Sequence, residues 1–238
     1  MEPSFVTPPV PAKPRSAGSL LGDALRRPGG RRALSVLSVV LLVAGVAMFA
    51  YPVGTDFYGR YKQGDLNSQF GDQRYQERYS TRTIPVGDVL TRLRIDTKDV
   101  KVNVLVVEGT TPAALRAGAG HYPGTPLPGE AGNVGIAGHR TTFGRPFNHL
   151  DLMKPGDEVI LETPFKIFHY KVVAPFGGHA NPWVVTPKDF SVVQNVPGKH
   201  YLTLTTCHPK GSAKKRLVLR LELQPNLTED VKQKGASA

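Results

Sequence analysis

The stretch Tyr201-Leu202-Thr203-Leu204-Thr205-Thr206-Cys207, followed beyond a Lys210-Gly211-Ser212-Ala213 turn by Arg216-Leu217-Val218-Leu219-Arg220-Leu221-Glu222-Leu223, decides the fold class. In the second half Leu217, Leu219, Leu221 and Leu223 recur every second residue, the period that turns one side of an extended strand to a core. The first half is an apolar and hydroxyl run that ends in a thiol, and the turn brings the chain back beside it as a hairpin. Outward from this pair lie further short runs at Val89 to Ile95, Val102 to Val107, Val134 to Ala137, Glu158 to Glu162 and Lys166 to Val173. With 25 Gly and 21 Pro punctuating the chain, the pattern points to a mainly β fold, a closed or nearly closed barrel rich in antiparallel pairs.

The 238 residues carry a formal charge of +11, which suits nucleic acid, anionic lipid or an anionic cell-wall polymer equally well. Location separates these. Ala33 to Tyr51 holds no charged residue and approaches the roughly 20 apolar positions that cross a bilayer. Lys13, Arg15, Arg26, Arg27, Arg31 and Arg32 precede it against Glu2 and Asp23, which sets the N-terminus in the cytoplasm and the rest of the chain outside. The run exceeds the core of a signal peptide, and Ala47-Met48-Phe49-Ala50 lacks the small residue that cleavage needs. Export removes nucleic acid as a partner and leaves the membrane lipid as one. The expected organisation is a disordered basic tail at 1–32, a transmembrane helix at 33–53, an extracellular stalk with some helical character at 54–83, the β domain at 84–225 and a polar tail at 226–238.

Cys207 is the only cysteine, so it has no disulfide partner within the chain. It is either inert or a nucleophile. A free thiol, with a pKa of about 8.5, holds only a few per cent thiolate at neutral pH and needs a neighbouring group to act on it. Among seven histidines, His139 stands at the end of the strand-like Asn133-Val134-Gly135-Ile136-Ala137-Gly138, where rigid scaffolds present reactive side chains. The hairpin brings Arg216 near the thiol, and its fixed donors suit a carbonyl or the oxyanion that forms under sulfur attack. His208 is no candidate for the base, because neighbours on a strand face opposite ways. One cysteine and no tight His/Asp/Glu spacing leave a metal site unsupported.

Thr203-Leu204-Thr205-Thr206-Cys207 with Arg216 downstream and Gly138-His139-Arg140 upstream resembles the signature of sortases, the membrane-anchored cysteine transpeptidases of Gram-positive bacteria. The resemblance covers roughly Leu90 to Leu223. His121-Tyr122-Pro123-Gly124, Gly138-His139-Arg140-Thr141-Thr142-Phe143-Gly144 and Thr206-Cys207-His208-Pro209-Lys210 are most similar to class E sortases of actinobacteria. Leu93-Arg94-Ile95-Asp96 departs from the family, many of whose members place Pro after that Ile.

This resemblance implies a sortase-type closed barrel of about eight strands with short helices, no cofactor, Cys207 as nucleophile, His139 as general acid and base, and Arg216 as binder of the substrate carbonyl. It implies cleavage between Thr and Gly of a Leu-Ala-x-Thr-Gly or Leu-Pro-x-Thr-Gly signal on an exported protein, and transfer to an amine of a cell-wall peptide or its lipid II precursor. Tyr122, Thr206 and His208 are the expected substrate-lining residues. Two rivals stand beside it: another exported cysteine enzyme, a hydrolase or an L,D-transpeptidase, and an anchored binding or scaffold protein with an inert thiol.

Overall fold

The structure is a computed structural model that describes residues 28–175 and 178–231. The expected tails lie largely outside the described residues, the first up to residue 27 and the last from 232. The chain divides into two compact units, Met1–Ala50 and Tyr51–Ala238.

Helix α1 (Pro28–Gln69) is 42 residues long. Its first half is long and apolar enough to cross a membrane, with a mean hydropathy of 2.6, and side chains such as Leu42, Met48 and Phe49 are exposed. The part from Tyr51 onward belongs to the second unit.

That unit is a barrel. Its strands are β1 (Val89–Asp96), β2 (Lys101–Glu108), β3 (Ala119–His121), β4 (Gly132–Ala137), β5 (Glu158–Glu162), β6 (Lys166–Val172), β7 (Trp183–Val185), β8 (His200–His208), β9 (Lys215–Leu223) and β10 (Glu229–Asp230). Eight of them close a ring in the order β6-β5-β1-β2-β3-β4-β8-β9, sealed where β9 pairs with β6 through Val172↔Leu221 and Tyr170↔Leu223. Strand β7 joins the free stretch of β9's edge at Arg216 to Val218, and β10 does the same for β6. Pairing is antiparallel except for β2–β3 and β4–β8. All seven expected runs are strands. The three short ones passed over, β3, β7 and β10, have two or three residues each, too few to show a period.

Alternation fills the barrel as the leucine spacing requires. Val134, Ile136, Leu202, Leu204, Leu219 and Leu221 are fully buried in one core, and Phe147, Leu150 and Met153 of the β4–β5 connection belong to it. Each such side chain contributes about 1.5–3 kcal/mol through burial.

The segment expected as a stalk does more than space the domain. Val104-Leu105-Val106-Val107 is buried on both faces: Val104 and Val106 face the barrel core, while Leu105 and Val107 meet Leu66 of α1 and Tyr75 of α2 (Gln73–Thr81) in a second cluster. The Tyr75 hydroxyl donates to Leu90 O at 2.9 Å, and burial pushes its pKa up. Gln63 completes the sheet where β3 has not yet begun. Its Oε1 accepts from Leu105 N at 2.6 Å, and its Nε2 donates to Leu105 O and to Ala117 O at the end of α3 (Pro112–Ala117). An amide side chain thus stands in for the missing strand peptide, satisfying groups that are costly to leave unpaired.

Candidate active site

Strands β4, β8 and β9 lie side by side, and parity along each separates a core face from an outer face. Leu202 and Leu204 mark the inner face of β8, Val134 and Ile136 that of β4, and Leu217 and Leu219 that of β9. Thr203, Thr205 and Cys207 therefore face outward, as do Asn133, Gly135 and Ala137 of β4 and Arg216 of β9. Antiparallel register sets Cys207 directly opposite Arg216. The parallel ladder pairs Ala137 with Thr205, so the same offset two residues on brings His139 level with Cys207. The bond from Gly138 N to Thr205 O, at 3.0 Å, carries the ladder past its last pair. All three chemically able residues thus reach one end of one face.

Each is held locally. Gly138 is required by packing: a Cβ there would come within 2.5 Å of the Phe147 ring. Phe147 N donates to His139 O at 3.1 Å, which fixes the backbone at the histidine. Burial holds the His139 pKa below the usual histidine value, and the charge of Arg116 pushes it the same way. Arg216 gives both N–H groups of Nη1 to the carbonyls of Ala213 and Lys215, at 3.0 and 3.1 Å. Its other three N–H donors make no hydrogen bond among the described residues. Cys207 is a free, half-buried thiol.

Tyr122 also belongs to this face. Its hydroxyl meets Thr205 Oγ1 at 2.9 Å, two residues from the thiol, and its ring lies over Gly135, where a Cβ would approach it to 2.9 Å. Val193 flanks the same glycine. It belongs to a short 3₁₀ turn (Phe190–Val193) that Asn133 and Arg220 fasten through Val192 O, at 3.0 and 2.7 Å. Tyr122 and Val193 thus stand on the same outer face as the thiol.

Thr206 and His208 do not belong to that face. Thr206 is buried on the inner face and donates to Gly138 O at 2.8 Å, tying β8 to β4. His208 has the same parity, and its Nδ1 accepts from Arg140 at 3.0 Å. The expectation erred because a one-residue step along a strand crosses the barrel wall.

Arg140 had no expected role, though it stands within the quoted Gly138-His139-Arg140. It is 3% exposed. Its guanidinium pairs with Asp151 at 2.9 Å and donates to Cys207 O at 3.3 Å. This buried cation closes the barrel beneath the thiol and fixes the last residues of β8. Its even position beside the odd His139 was the signal that it points inward.

A family model described as a sortase domain matches residues 93–224, more than half of the chain. Sortase SrtE1 of Streptomyces coelicolor is 29% identical over 206 residues, covering 82% of this chain, which spans 58% of that relative's length. Sortase SrtE2 of the same organism is 30% identical over 224 residues, covering 85% of this chain and 87% of the relative. Among solved structures, sortase E from Streptomyces avermitilis is 32% identical with a TM-score of 0.53, over 64% of this chain and 97% of that one.

Proposed function

The chain belongs to the sortase family, and on that premise we propose that it is a class E-type transpeptidase that cleaves a sorting signal between Thr and Gly and joins the Thr carbonyl to a cell-wall amine. One observation carries this reading: register and parity bring Cys207, Arg216 and the strand end at His139 to one side of one barrel end.

The Cys207 thiolate adds to the Thr carbonyl, and the oxyanion that forms meets the free donors of Arg216. Donors aimed at developing charge act more strongly there than on the ground-state carbonyl. As the C–N bond breaks, His139 in its imidazolium form gives its proton to the leaving glycine amine, leaving a thioacyl enzyme. An amine from a cell-wall peptide or lipid II then attacks. His139 takes its proton, the C–S bond breaks and the thiolate returns. The lowered pKa of His139 makes it a stronger acid toward the leaving group but shrinks its imidazolium population near neutrality. Slow turnover follows, because thiolate and imidazolium must coexist.

The substrates are exported proteins with Leu-Ala-x-Thr-Gly or Leu-Pro-x-Thr-Gly signals, and Tyr122, hydrogen-bonded to Thr205 on the face of the thiol, is the residue assigned to the position after Leu. The apolar half of α1 serves as a single-pass anchor in membrane lipid, with the arginine-rich N-terminal side in the cytoplasm and the barrel outside.

The test is product analysis with both peptides, with and without an amine acceptor, for the full chain and its Cys207→Ala variant. Acceptor-linked product that needs Cys207 supports the transpeptidase. Cleavage with free acid as the only product in the presence of amine replaces it with a hydrolase, and cleavage unchanged in the variant sinks the thiol mechanism.

A further inference from the structure

The second half of α1 reaches the loop that follows His139. Asp56, with a side chain 16% exposed, accepts from Gly144 N on Oδ1 at 3.0 Å and pairs through Oδ2 with Arg145 at 2.7 Å. One carboxylate therefore grips two consecutive loop residues. The grip has something to hold: Phe143 and Arg145 both have positive φ, 51° and 49°, a region that costs a side-chain-bearing residue about 1–2 kcal/mol. One turn further along the helix, Gly59 lies against the loop backbone, where a Cβ would stand 2.9 Å from the Phe143 carbonyl carbon. Tyr58 meets the Phe143 ring edge-on with centroids 6.2 Å apart, and that ring lies 5.1 Å from the His139 ring. Helix, loop, aromatic ring and imidazole form one unbroken line of contacts.

We propose that Asp56 and Gly59 of α1 latch the 142–146 loop so that Phe143 covers His139, making Asp56 a positioning residue that acts on the histidine through the loop. The inference rests on reading His139 as the acid and base of the reaction. The Phe143 ring shields the imidazole from water and limits the directions in which it presents its nitrogens. A shielded imidazole favours its neutral form. The charged or titratable groups that flank it are Arg116 of α3, 6.0 Å from the Phe143 centroid, and Tyr58 of α1, with Cys207 of β8 and Arg216 of β9 at the same barrel end, while the latch itself adds the opposite charges of Asp56 and Arg145, which F143A leaves untouched. Releasing the latch lets water reach the ring while the flanking groups stay in place. The segment next to the apolar span is thereby part of the catalytic architecture.

The experiment is a ¹³C NMR titration of the His139 Cε1 resonance in the full chain, held in detergent micelles, with Cys207→Ala as the parent so that thiol ionisation does not intrude. The parent titrates below the ordinary histidine value of about 6.5. In D56A and in F143A the midpoint moves up toward that value. D56N, which still accepts from Gly144 N but loses the ion pair, falls between. R145Q removes the ion pair alone at a half-exposed site, so it keeps the test decisive should D56A not fold, and it gives a smaller shift of the same sign. With the thiol present, D56A lowers kcat about three- to tenfold with little change in KM, as expected for a displaced group rather than lost binding. An unmoved midpoint in folded F143A together with folded D56A, or with R145Q in its place, overturns the latch. The titration needs no turnover: a shifted midpoint without peptide cleavage sinks the sorting reading alone, and cleavage with an unmoved midpoint sinks the latch alone.

Discussion

The two faces of β8 at its C-terminal end differ by one residue step and by almost everything else. Inward, Thr206 and His208 are committed to Gly138 O and to Arg140, whose guanidinium is itself shared among Asp151, Cys207 O and His208. Outward, Cys207 is free, Arg216 keeps donors in hand and His139 is pressed toward its neutral form. Charge on the inner face is balanced by hydrogen bonds, which is what a buried cation requires. In the proposed reaction, charge on the outer face is left for a substrate. A wall one peptide thick therefore separates the groups that hold the thiol from those that would work with it.

The largest effects break this comparison through its two histidines. His139→Ala lowers kcat/KM for a sorting peptide about 10²- to 10⁴-fold, the usual range for a lost acid and base, whereas His208→Asn changes it less than about tenfold; equal losses would erase the distinction between the faces. The same histidine sets the pH dependence. As pH rises through its lowered pKa the imidazolium disappears, so kcat/KM falls on the alkaline side, and a profile flat from about pH 5 to 10 contradicts the role of His139. Next comes Arg216→Lys, which keeps the charge but not the planar fork and costs about 10²- to 10³-fold. Arg140→Leu tests the inner face. Urea unfolding should show a loss of about 1–3 kcal/mol, since the Cys207 carbonyl and His208 lose their buried donor. Smallest is Tyr122→Phe, which deletes one hydrogen bond to Thr205 worth about 0.5–1.5 kcal/mol; comparing Leu-Ala with Leu-Pro peptides in this variant shows whether that bond bears on the choice.

How much of this was legible follows from period and parity. The Leu217 to Leu223 alternation and the turn before it announced the hairpin, and with it the Cys207–Arg216 pair, because side-chain direction in a strand follows from the pleat alone. That His139 stands level with Cys207 depends on the parallel pairing of β4 with β8. No spacing encodes such a pairing between strands some seventy residues apart, and the family signature supplied it. The alternation that set His208 apart from the base applies equally to Thr206, which was nonetheless expected to line the substrate, and the motif as quoted did not single out Arg140. The helical part beyond the apolar span read as a spacer because its polar and aromatic residues show no clean stripe. Its roles fall to single residues, Gln63 filling a gap in the sheet and Asp56 gripping a loop, and such contacts leave no periodic trace.

The central claim is that Cys207 carries the acyl group of a cleaved sorting signal. Intact-protein and peptide-level mass spectrometry of the full chain, quenched in acid after incubation with a Leu-Ala-x-Thr-Gly peptide, tests it most directly. The expected result is an added mass equal to the peptide up to Thr, located on Cys207, discharged when an amine is supplied and absent from Cys207→Ala. Peptide cleavage with no adduct on Cys207 at any quench time, and equal cleavage by Cys207→Ala, would contradict it.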